Sequence, residues 1–401
     1  MRIAFIGVGY FPGRMASEKN FYLKLLPLIK DKVDDVIVLS INDQTKKIFS
    51  QITPNGTIPI YNFKRPLHKG GGDRFLKVVN KVYCYHHRHS PTQEMFEKFL
   101  VLFVNIGRIR DILEKHKIDV IYFMDNFGFG MSYLKRKLTK KIIFAAANYD
   151  PRGHFYDQIQ FNFIRNLDLV VTYSHAYKKI LHDIGIKKNQ IEVIHWGIDP
   201  KTLKPLNNDT KKKIRKRYGI QRNKFFVLWT GYIQQIQEKD FYLTISIAKT
   251  IINSRADIQF IFCFKPETYK TVYKNENCDG INIIAGASES SFHELLGSAD
   301  LLLSPSYKIS STVSPPLTWI EAMSMEVPVL TTEIKGADEI ILNGETGYIS
   351  KNYETIIQDI QTIIDSGINQ NMKSNAKKMI EKNYNIHLIA DGYSRKIGDI
   401  L

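Results

Sequence analysis

Cysteine is scarce in this sequence, which has only three cysteines among its 401 residues. Cys84, Cys263 and Cys278 form no Cys-x-x-Cys pair and stand in no histidine-rich spacing, so neither a disulfide framework nor a zinc site is indicated. Long apolar runs are also missing, because no stretch approaches the roughly 18 uninterrupted apolar residues of a membrane span. We therefore expect neither a small disulfide-stapled scaffold nor an integral membrane protein.

The amino-terminal segment lacks the pattern of a secretion signal. The run MRIAFIGVGY has one basic residue followed by a short apolar stretch. This is more typical of a first β-strand than of a signal peptide, whose apolar region precedes a small-residue cleavage site. We expect a protein of the reducing cytoplasm.

Positive charge is in excess. The chain carries 56 lysines and arginines against 40 aspartates and glutamates, a formal net charge of +16. Residues 1–200 hold 31 basic and 18 acidic residues, so this half accounts for +13 of the total. The charge indicates an anionic partner for the first half. No RNP, helix-turn-helix or zinc pattern accompanies it, so nucleic acid is the least favoured partner.

Short apolar runs alternate with amphipathic stretches throughout the chain, and the pattern restarts in the second half. Strands that are apolar along their whole length and separated by helices are typical of parallel βαβ units. The sequence predicts an α/β protein with two doubly wound, Rossmann-like domains. The predicted strands are Ile3–Ile6, Asp35–Ser40, Val120–Met124, Lys141–Ala146, Leu167–Tyr173, Gln190–His195, Phe225–Thr230, Ile258–Phe262, Ile281–Ile284, Asp300–Ser304 and Val327–Thr331.

A change of composition separates the two halves. From Asp199 to Gly219 the chain turns to proline, asparagine and lysine, as expected for a linker followed by a basic surface helix. We place the boundary near Lys201–Asn208. The predicted domains are residues 1–200 and 201–385.

Residues 61–90 depart from the alternation. They combine three consecutive glycines with basic and aromatic side chains, and loops of this length are usually functional or mobile. One interpretation is a solvated basic helix beside a flexible turn; the other is a landing site for an anionic partner such as a membrane surface. The basic residues that we assign to this acceptor or membrane side are Lys64, Arg65, Lys69 and Arg74.

The first strand-to-helix turn, GVGYFPGRMASEKN, is rich in glycine. Its third glycine, Gly13, falls one residue too late for a Gly-x-Gly-x-x-Gly fingerprint. Small residues here would let backbone N–H groups approach an anion closely. A plain turn is an equally good interpretation.

A carboxylate on an apolar helix marks the second half. Pro315 and Pro316 open this helix, with Ser314 as the expected N-cap, and its free N–H groups would point out of the carboxyl end of the sheet. Glu321 follows about one and a half turns later, among apolar residues. An unpartnered carboxylate there costs several kcal/mol. A ligand hydroxyl or a buried hydrogen-bond network would offset that cost.

Four stretches together carry a family resemblance. They are RNLDLVVTYSHAYKKILHDIGIKKNQIEVIHWGID (165–199), FFVLWTGY (225–232), WIEAMSMEVPVLTT (319–332) and GADEIILNGETGYI (336–349). The last two resemble LEAMAxGxPVV and GxxEIIxDGxTG of the GT-B glycosyltransferases, specifically the retaining GT4 type that uses nucleotide sugars. The resemblance implies a donor nucleotide on the second domain and an acceptor on the first, with the chemistry between them. It also implies that the last helix, Ile386–Leu401, crosses back onto the first domain.

The resemblance assigns roles, and the sequence departs from several of them. Glu321 matches the second glutamate of the family's E-x7-E motif, which holds the ribose hydroxyls. Val313 stands in place of the first glutamate, and Tyr232 in place of the arginine that clamps the diphosphate. The clamp lysine finds its nearest match in Lys239, two positions late, with Gln237 in the expected place.

The missing arginine and the displaced lysine would weaken a diphosphate site. The loss of each cation removes a charge-assisted hydrogen bond worth roughly 1.5 to 3 kcal/mol. Arg14, Lys265 and Lys308 are candidates to replace them, although each is otherwise an ordinary solvated cation. The residues predicted to bind the donor are Gly13, Arg14, Gly231, Lys239, Lys265, Gly286, Ser314, Pro316, Leu317, Thr318 and Glu321.

Polar residues of the first half are assigned to the acceptor side. Asp125 follows a predicted strand, where it serves the site or caps the next helix. Arg152 meets an acceptor phosphate or pairs with Asp150. We predict Asp125 and His154 as the catalytic residues. The family's retaining transfer needs no protein nucleophile, so we expect no metal and no cofactor beyond the nucleotide-sugar co-substrate.

The expected function is therefore transfer of a sugar from a UDP- or GDP-sugar to an anionic acceptor. The basic first half favours a lipid-linked glycan acceptor and a peripheral position on the inner face of the cell membrane. The alternative is a GT-B subunit that has lost activity and binds a partner in a glycosylation complex. Nucleic acid is not expected as a partner, and the oligomeric state stays open.

Overall fold

The computed structural model describes residues 1–8, 17–41, 48–54, 56–63, 91–125, 129–146, 162–231, 238–264, 280–285, 287–306 and 315–401. The chain divides into two units. The first contains Met1–His195 and His387–Leu401, and the second contains Trp196–Ile386. The carboxyl-terminal residues thus belong to the first unit, as the resemblance implies.

The two units divide between His195 and Trp196. The sequence predicted the boundary a few residues later, near Lys201–Asn208. Trp196 and Ile198 are buried in the second unit. The Ile198 N–H donates to the Tyr384 carbonyl at 2.9 Å, and the Ile386 N–H donates to the Ile198 carbonyl at 2.8 Å. This pairing fixes the chain before the polar segment begins. The division between the two units thus falls a few residues before the change of composition.

The first unit is built on an eight-stranded sheet in the order β3-β4-β2-β1-β5-β6-β7-β8. Its described strand pairs are parallel, except for the antiparallel β3–β4 pair. The central strands are buried on both faces, which explains their uninterrupted apolar sequences. The strands are β1 (Arg2–Val8), β2 (Asp35–Ile41), β3 (Ile48–Thr53), β4 (Gly56–Phe63), β5 (Val120–Phe123), β6 (Lys141–Ala146), β7 (Leu169–Thr172) and β8 (Ile191–Val193).

Helices pack against this sheet, and one of them is the last helix of the chain, Ile386–Gly398. The described helices of the chain up to His195 are α1 (Ser17–Lys30), α2 (Pro91–Val104), α3 (Ile106–Lys115), α4 (Phe129–Leu138) and α5 (His175–Asp183).

The second unit has a six-stranded sheet in the order β11-β10-β9-β12-β13-β14, and its described pairs are all parallel. Its strands are β9 (Phe225–Gly231), β10 (Ile258–Phe264), β11 (Ile281–Ala285), β12 (Leu301–Leu303), β13 (Val329–Thr332) and β14 (Tyr348–Ser350). The described helices of this unit are α6 (Asn208–Arg217), α7 (Glu238–Ser254), α8 (Glu289–Ser298), α9 (Leu317–Ser324), α10 (Tyr353–Ser366) and α11 (Gln370–Asn383). The last helix, α12 (Ile386–Gly398), belongs to the first unit from His387 onward. The two doubly wound α/β sheets confirm the predicted fold class.

Four buried tyrosines attach α12 to the first unit. The Tyr22 hydroxyl lies 3.0 Å from that of Tyr173 and 3.3 Å from that of Tyr122, and Tyr122 donates to Tyr393 of α12 at 3.3 Å. Burial raises the pKa of Tyr22 and of Tyr122 well above the ordinary value, and that of Tyr393 to about 12. The hydroxyls of these three tyrosines therefore stay protonated and hydrogen-bonded in the folded protein.

We expect the free energy of unfolding to fall as the pH rises above about 10, the ordinary pKa of tyrosine. Unfolding exposes these hydroxyls, which then ionise, whereas burial keeps them protonated in the fold. The contribution of each hydroxyl to the free energy of unfolding is complete below its pKa in the unfolded state. It is lost as the pH rises through its pKa in the folded state, by up to about 1.4 kcal/mol per pH unit. Urea denaturation of Tyr22→Phe should give a shallower decline than that of Tyr218→Phe, a change outside the cluster. Equal slopes would contradict this expectation.

Candidate functional site

The carboxylate of Glu321 lies inside the second unit, with the residue only 8% exposed. Its neighbours on α9, among them Trp319 and Ile320, are buried apolar residues. The Glu321 Oε1 atom lies 3.2 Å from Nε2 of His293 on α8. An ionised carboxylate can only accept, so the imidazole N–H donates. The carboxylate therefore has a protein partner for one of its two oxygens.

Helix α8 holds His293 in place through both its start and its buried face. Ser288 is the N-cap, and its hydroxyl oxygen accepts from the Ser291 N–H at 3.1 Å. Leu295 and Leu296 are fully buried against the core. These contacts fix the rotation of α8 about its axis. They leave the His293 imidazole turned toward α9.

The chain that leaves β12 is fastened to α9 and β13. The Trp319 indole N–H donates to the Ser304 hydroxyl at 2.8 Å, and the Thr331 hydroxyl donates to the Ser304 carbonyl at 2.9 Å. Two residues on, the Ser306 N–H donates to the Thr332 hydroxyl oxygen at 2.9 Å. These hydrogen bonds fix the residues that follow β12 up to Ser306, at the carboxyl end of the sheet.

Helix α9 begins differently from the sequence prediction. Pro316, in extended conformation, occupies the N-cap position that the sequence assigned to Ser314, a residue outside the described part of the chain. A proline side chain cannot accept a hydrogen bond, so the cap leaves the N–H groups of the first turn, at Leu317 and Thr318, without the usual side-chain acceptor. Such a helix start is suited to an anion.

Gly231 ends β9, next to the ring of Trp229. A Cβ atom at this position would lie 2.9 Å from two carbons of the indole, closer than real Cβ contacts. Trp229 in turn packs on Phe241, Phe262 and Phe264, with ring centroids 5.0 to 5.6 Å away. The aromatic cluster therefore requires glycine at the end of this strand, independently of any ligand.

Lys239 lies in the first turn of α7 and is exposed. The next residue, Asp240, is buried and accepts a hydrogen bond from the Tyr353 hydroxyl at 2.8 Å. Burial and the Asp240 carboxylate raise the pKa of Tyr353, which keeps this donor protonated. The pair fixes the rotation of α7, so Lys239 faces outward at the helix start that follows β9.

In the first unit, Asp125 follows β5 beside the end of β1. A Cβ atom on Gly7 would lie 3.1 Å from the Asp125 Oδ2 atom and 2.7 Å from the Met124 methyl carbon. Parallel pairing of β1 and β5 brings these strand ends together at the carboxyl edge. The glycine thus lets the backbone approach the carboxylate closely, at the edge where ligands of such sheets bind.

Two family models match the chain. Residues 67–202 match the model for Glycosyltransferase Family 4, and residues 210–379 match the model for Glycosyl transferases group 1. The chain is a GT4-type glycosyltransferase.

Known relatives cover most of this glycosyltransferase. N-acetyl-alpha-D-glucosaminyl L-malate synthase of Bacillus anthracis is 22% identical over 342 residues, 80% of this chain and 86% of that protein. Alpha-galactosylglucosyldiacylglycerol synthase of Streptococcus pneumoniae is 22% identical over 311 residues, 72% of this chain and 78% of that protein. HepE of Anabaena, solved in complex with UDP-glucose, covers 100% of both chains with a TM-score of 0.74 and 14% identity. This likeness shows that the glycosyltransferase has the GT-B fold.

Two histidines that we did not predict lie at the carboxyl ends of β7 and β8. The rings of His175 and His195 are 5.9 Å apart, and Nδ1 of His195 lies 2.8 Å from the Tyr173 carbonyl. A cavity of about 460 Å³ lies along α5 and includes His175 in its lining. The signal in the sequence was a histidine at the end of each predicted strand: His175 stands two residues after Leu167–Tyr173, and His195 is the last residue of Gln190–His195. The cavity lining is His175, Lys178, Lys179, His182, Asp183 and Lys188.

Much of the predicted site of the glycosyltransferase lies outside the described residues. Among the residues described, no group of three or more His, Cys, Asp or Glu side chains could hold a metal ion. The expected independence from metal stays a prediction. The predicted site residues beyond the described ranges are Gly13, Arg14, Lys64, Arg65, Lys69, Arg74, Arg152, His154, Lys265, Gly286 and Ser314.

Proposed function

We propose that this glycosyltransferase transfers a sugar from a UDP- or GDP-sugar to an anionic, lipid-linked glycan acceptor with retention of configuration. The observation that carries the donor half is the Glu321 carboxylate, buried on an apolar helix behind an N-terminus that lacks a side-chain cap. A carboxylate accepts hydrogen bonds from ribose hydroxyls, and a helix N-terminus attracts a diphosphate. The two features suit the two ends of a nucleoside diphosphate.

In the proposed reaction, the bond between the anomeric carbon and the diphosphate oxygen breaks, and the acceptor hydroxyl oxygen forms the new glycosidic bond on the same face. The acceptor proton passes to the leaving diphosphate. The role of the chain is to stabilise the developing charge of the leaving group, through the N–H groups of α9 and the Lys239 ammonium, and to orient the reactants. Asp125 is proposed to orient the acceptor, a role supported by its place at the carboxyl edge of the first sheet.

A panel of nucleotides tests the donor half of the proposal. Thermal unfolding is followed with UDP, GDP and ADP and with their diphosphate sugars. We expect one base to raise the unfolding midpoint, because a ligand that binds only the folded state stabilises it. Stabilisation by none of them would contradict the proposal and favour the alternative, a GT-B subunit without transfer activity.

The acceptor half is supported by charge and by exposed apolar side chains. Phe103 and Val104, at the end of α2, are 50% and 68% exposed. The Phe103 ring packs 5.7 Å from that of Tyr133 on α4, a helix with three basic residues in its last turn. Apolar side chains beside lysines and arginines are typical of surfaces that bind anionic membranes. The relative named for a galactosylglucosyldiacylglycerol agrees with a lipid acceptor.

No described helix is long and apolar enough to cross a membrane. We propose peripheral attachment on the cytoplasmic face, through the exposed apolar side chains of α2 and the basic last turn of α4. The first half of the chain carries +13 of the net charge.

We expect the double variant Phe103→Ser, Val104→Ser to bind anionic vesicles about tenfold more weakly or worse. Burying one such side chain contributes about 1.5 to 3 kcal/mol, so two account for at least this factor. Flotation with phosphatidylglycerol-containing vesicles measures binding to an anionic surface. The difference from binding to pure phosphatidylcholine vesicles, which carry no net charge, gives the electrostatic part. Ile52→Ser is the matched control, since Ile52 is 83% exposed but lies on the edge strand β3. Equal flotation of the double variant and wild type would contradict this surface.

A further inference from the structure

The hydrogen bond between His293 and Glu321 joins two helices that the sequence motifs did not connect. His293 lies in α8, outside all four stretches that carry the family resemblance, and 28 residues before Glu321. Both side chains are largely shielded from water, with 17% of the His293 side chain and 11% of the Glu321 side chain exposed. The contact is therefore an interior one and not a solvated surface pair.

We propose that His293 is a positioning residue of the donor site. Its Nε2–H holds Oε1 of Glu321, which orients the carboxylate so that Oε2 is left to accept from the ribose. This inference rests on the proposed ribose-binding role of Glu321. His293 itself is assigned no contact with the donor.

The hydrogen bonds that the Glu321 carboxylate accepts support this role. In the part of the chain that the structure describes, His293 is the only side chain that hydrogen bonds to the Glu321 carboxylate. A buried carboxylate requires donors for both oxygens, and one imidazole N–H supplies a single bond. The second oxygen is thus available to a ligand hydroxyl. The ribose of a nucleotide carries two neighbouring hydroxyls that fit this requirement.

Preorganisation explains why a histidine would be used. A glutamate side chain has three rotatable bonds and reaches a defined position only when other groups fix it. A ligand that had to immobilise the side chain itself would bind less tightly. The imidazole is rigid, and its own helix is fixed by the Ser288 cap and the buried leucines.

Three variants at His293 test the inference by geometry. His293→Ala removes the donor. His293→Gln keeps an amide N–H near the place of Nε2, whereas His293→Asn carries the same amide about one methylene too short. Dissociation constants are measured for UDP or GDP, whichever stabilises the wild type, and for its 2′-deoxy and 3′-deoxy forms.

We expect His293→Ala and His293→Asn to weaken binding of the ribonucleotide about tenfold, the size of one hydrogen bond to a charged group. Binding of the deoxynucleotides should change less, so the preference for ribose shrinks. His293→Gln should restore most of the preference. In turnover, the donor KM should rise with kcat nearly unchanged, because the ribose is remote from the bond that breaks.

A double-mutant cycle with Glu321→Gln separates the outcomes. If His293 acts through Glu321, adding His293→Ala to Glu321→Gln weakens binding little further. If Glu321→Gln lowers the ribose preference and His293→Ala does not, the positioning role is overturned while the proposed function stands. A His293→Ala protein that unfolds at lower temperature but keeps the full preference for ribose would also overturn it, because the contact would then be structural only. If neither variant changes the preference, the ribose role of Glu321 fails first.

Discussion

Replacing Glu321 with alanine is expected to weaken binding of the donor nucleotide by about tenfold to hundredfold. The carboxylate accepts from ribose hydroxyls in the proposed complex, and a hydrogen bond to a charged group is worth about 1.5 to 3 kcal/mol. Alanine removes the acceptor altogether. Glutamine keeps the size and one acceptor oxygen but loses the charge, so Glu321→Gln should fall between alanine and wild type.

The discriminating measurement pairs each protein with nucleotides that lack one ribose hydroxyl. Wild type should bind the 2′-deoxy or 3′-deoxy nucleotide more weakly than the ribonucleotide. Glu321→Ala should bind the deoxynucleotides and the ribonucleotide with the same affinity. Glu326→Gln is the matched control, since Glu326 lies just past the end of α9 and pairs with Lys377 at 3.3 Å. An unchanged ribose preference in Glu321→Ala would remove the main support for the donor site.

The sequence predicted the layered fold well where strands are buried on both faces. Every predicted strand has a counterpart in the two sheets. Three strands were missed: β3, β4 and β14. The β3–β4 pair is an antiparallel edge with polar residues such as Ser50 and Gln51, so no continuous apolar run marks it. Strand β14 has only three residues.

Strand β4, which lies between β3 and β2, also corrects the interpretation of residues 61–90 as one irregular segment. Tyr61 and Phe63 close β4 and are buried in the core of the first unit. Their aromatic character therefore reflects packing against the sheet. The binding interpretation now concerns only the basic residues that follow, which lie beyond the described part of the chain.

The candidate site was predictable only in part, for a reason that Glu321 and His293 illustrate. A carboxylate within an apolar helix contradicts its surroundings, and such a contradiction is visible in a single sequence. Its partner is not visible, because a lone histidine in an amphipathic helix is compatible with solvent. Only the packing of α8 beside α9 brings the two side chains together. Gly231 shows the converse, since the motif suggested a ligand contact and the structure adds the indole of Trp229 as a sufficient cause.

Lys239 provides the second test of the donor site. We expect Lys239→Ala to weaken binding of the nucleoside diphosphate about tenfold or more, through loss of one charge-assisted hydrogen bond. The lysine matches the family's diphosphate clamp two positions late, and it lies in the first turn of α7. In the sequence, the two extra residues fall between Gly231, the last residue of β9, and Glu238, the first residue of that helix. The Asp240–Tyr353 hydrogen bond then sets the direction of the side chain.

Comparison of diphosphate with monophosphate isolates this role. Lys239→Ala should weaken binding of UDP or GDP but leave the corresponding monophosphate nearly unchanged, because the clamp contacts the second phosphate. Lys249→Ala, on the same helix two to three turns further on, is the matched control and should behave as wild type. Isothermal titration at low and high salt adds a check, since only the wild type should lose its preference for diphosphate as screening increases. If Lys239→Ala retains that preference, another cation neutralises the diphosphate, and Arg14 and Lys265 become the residues to replace next.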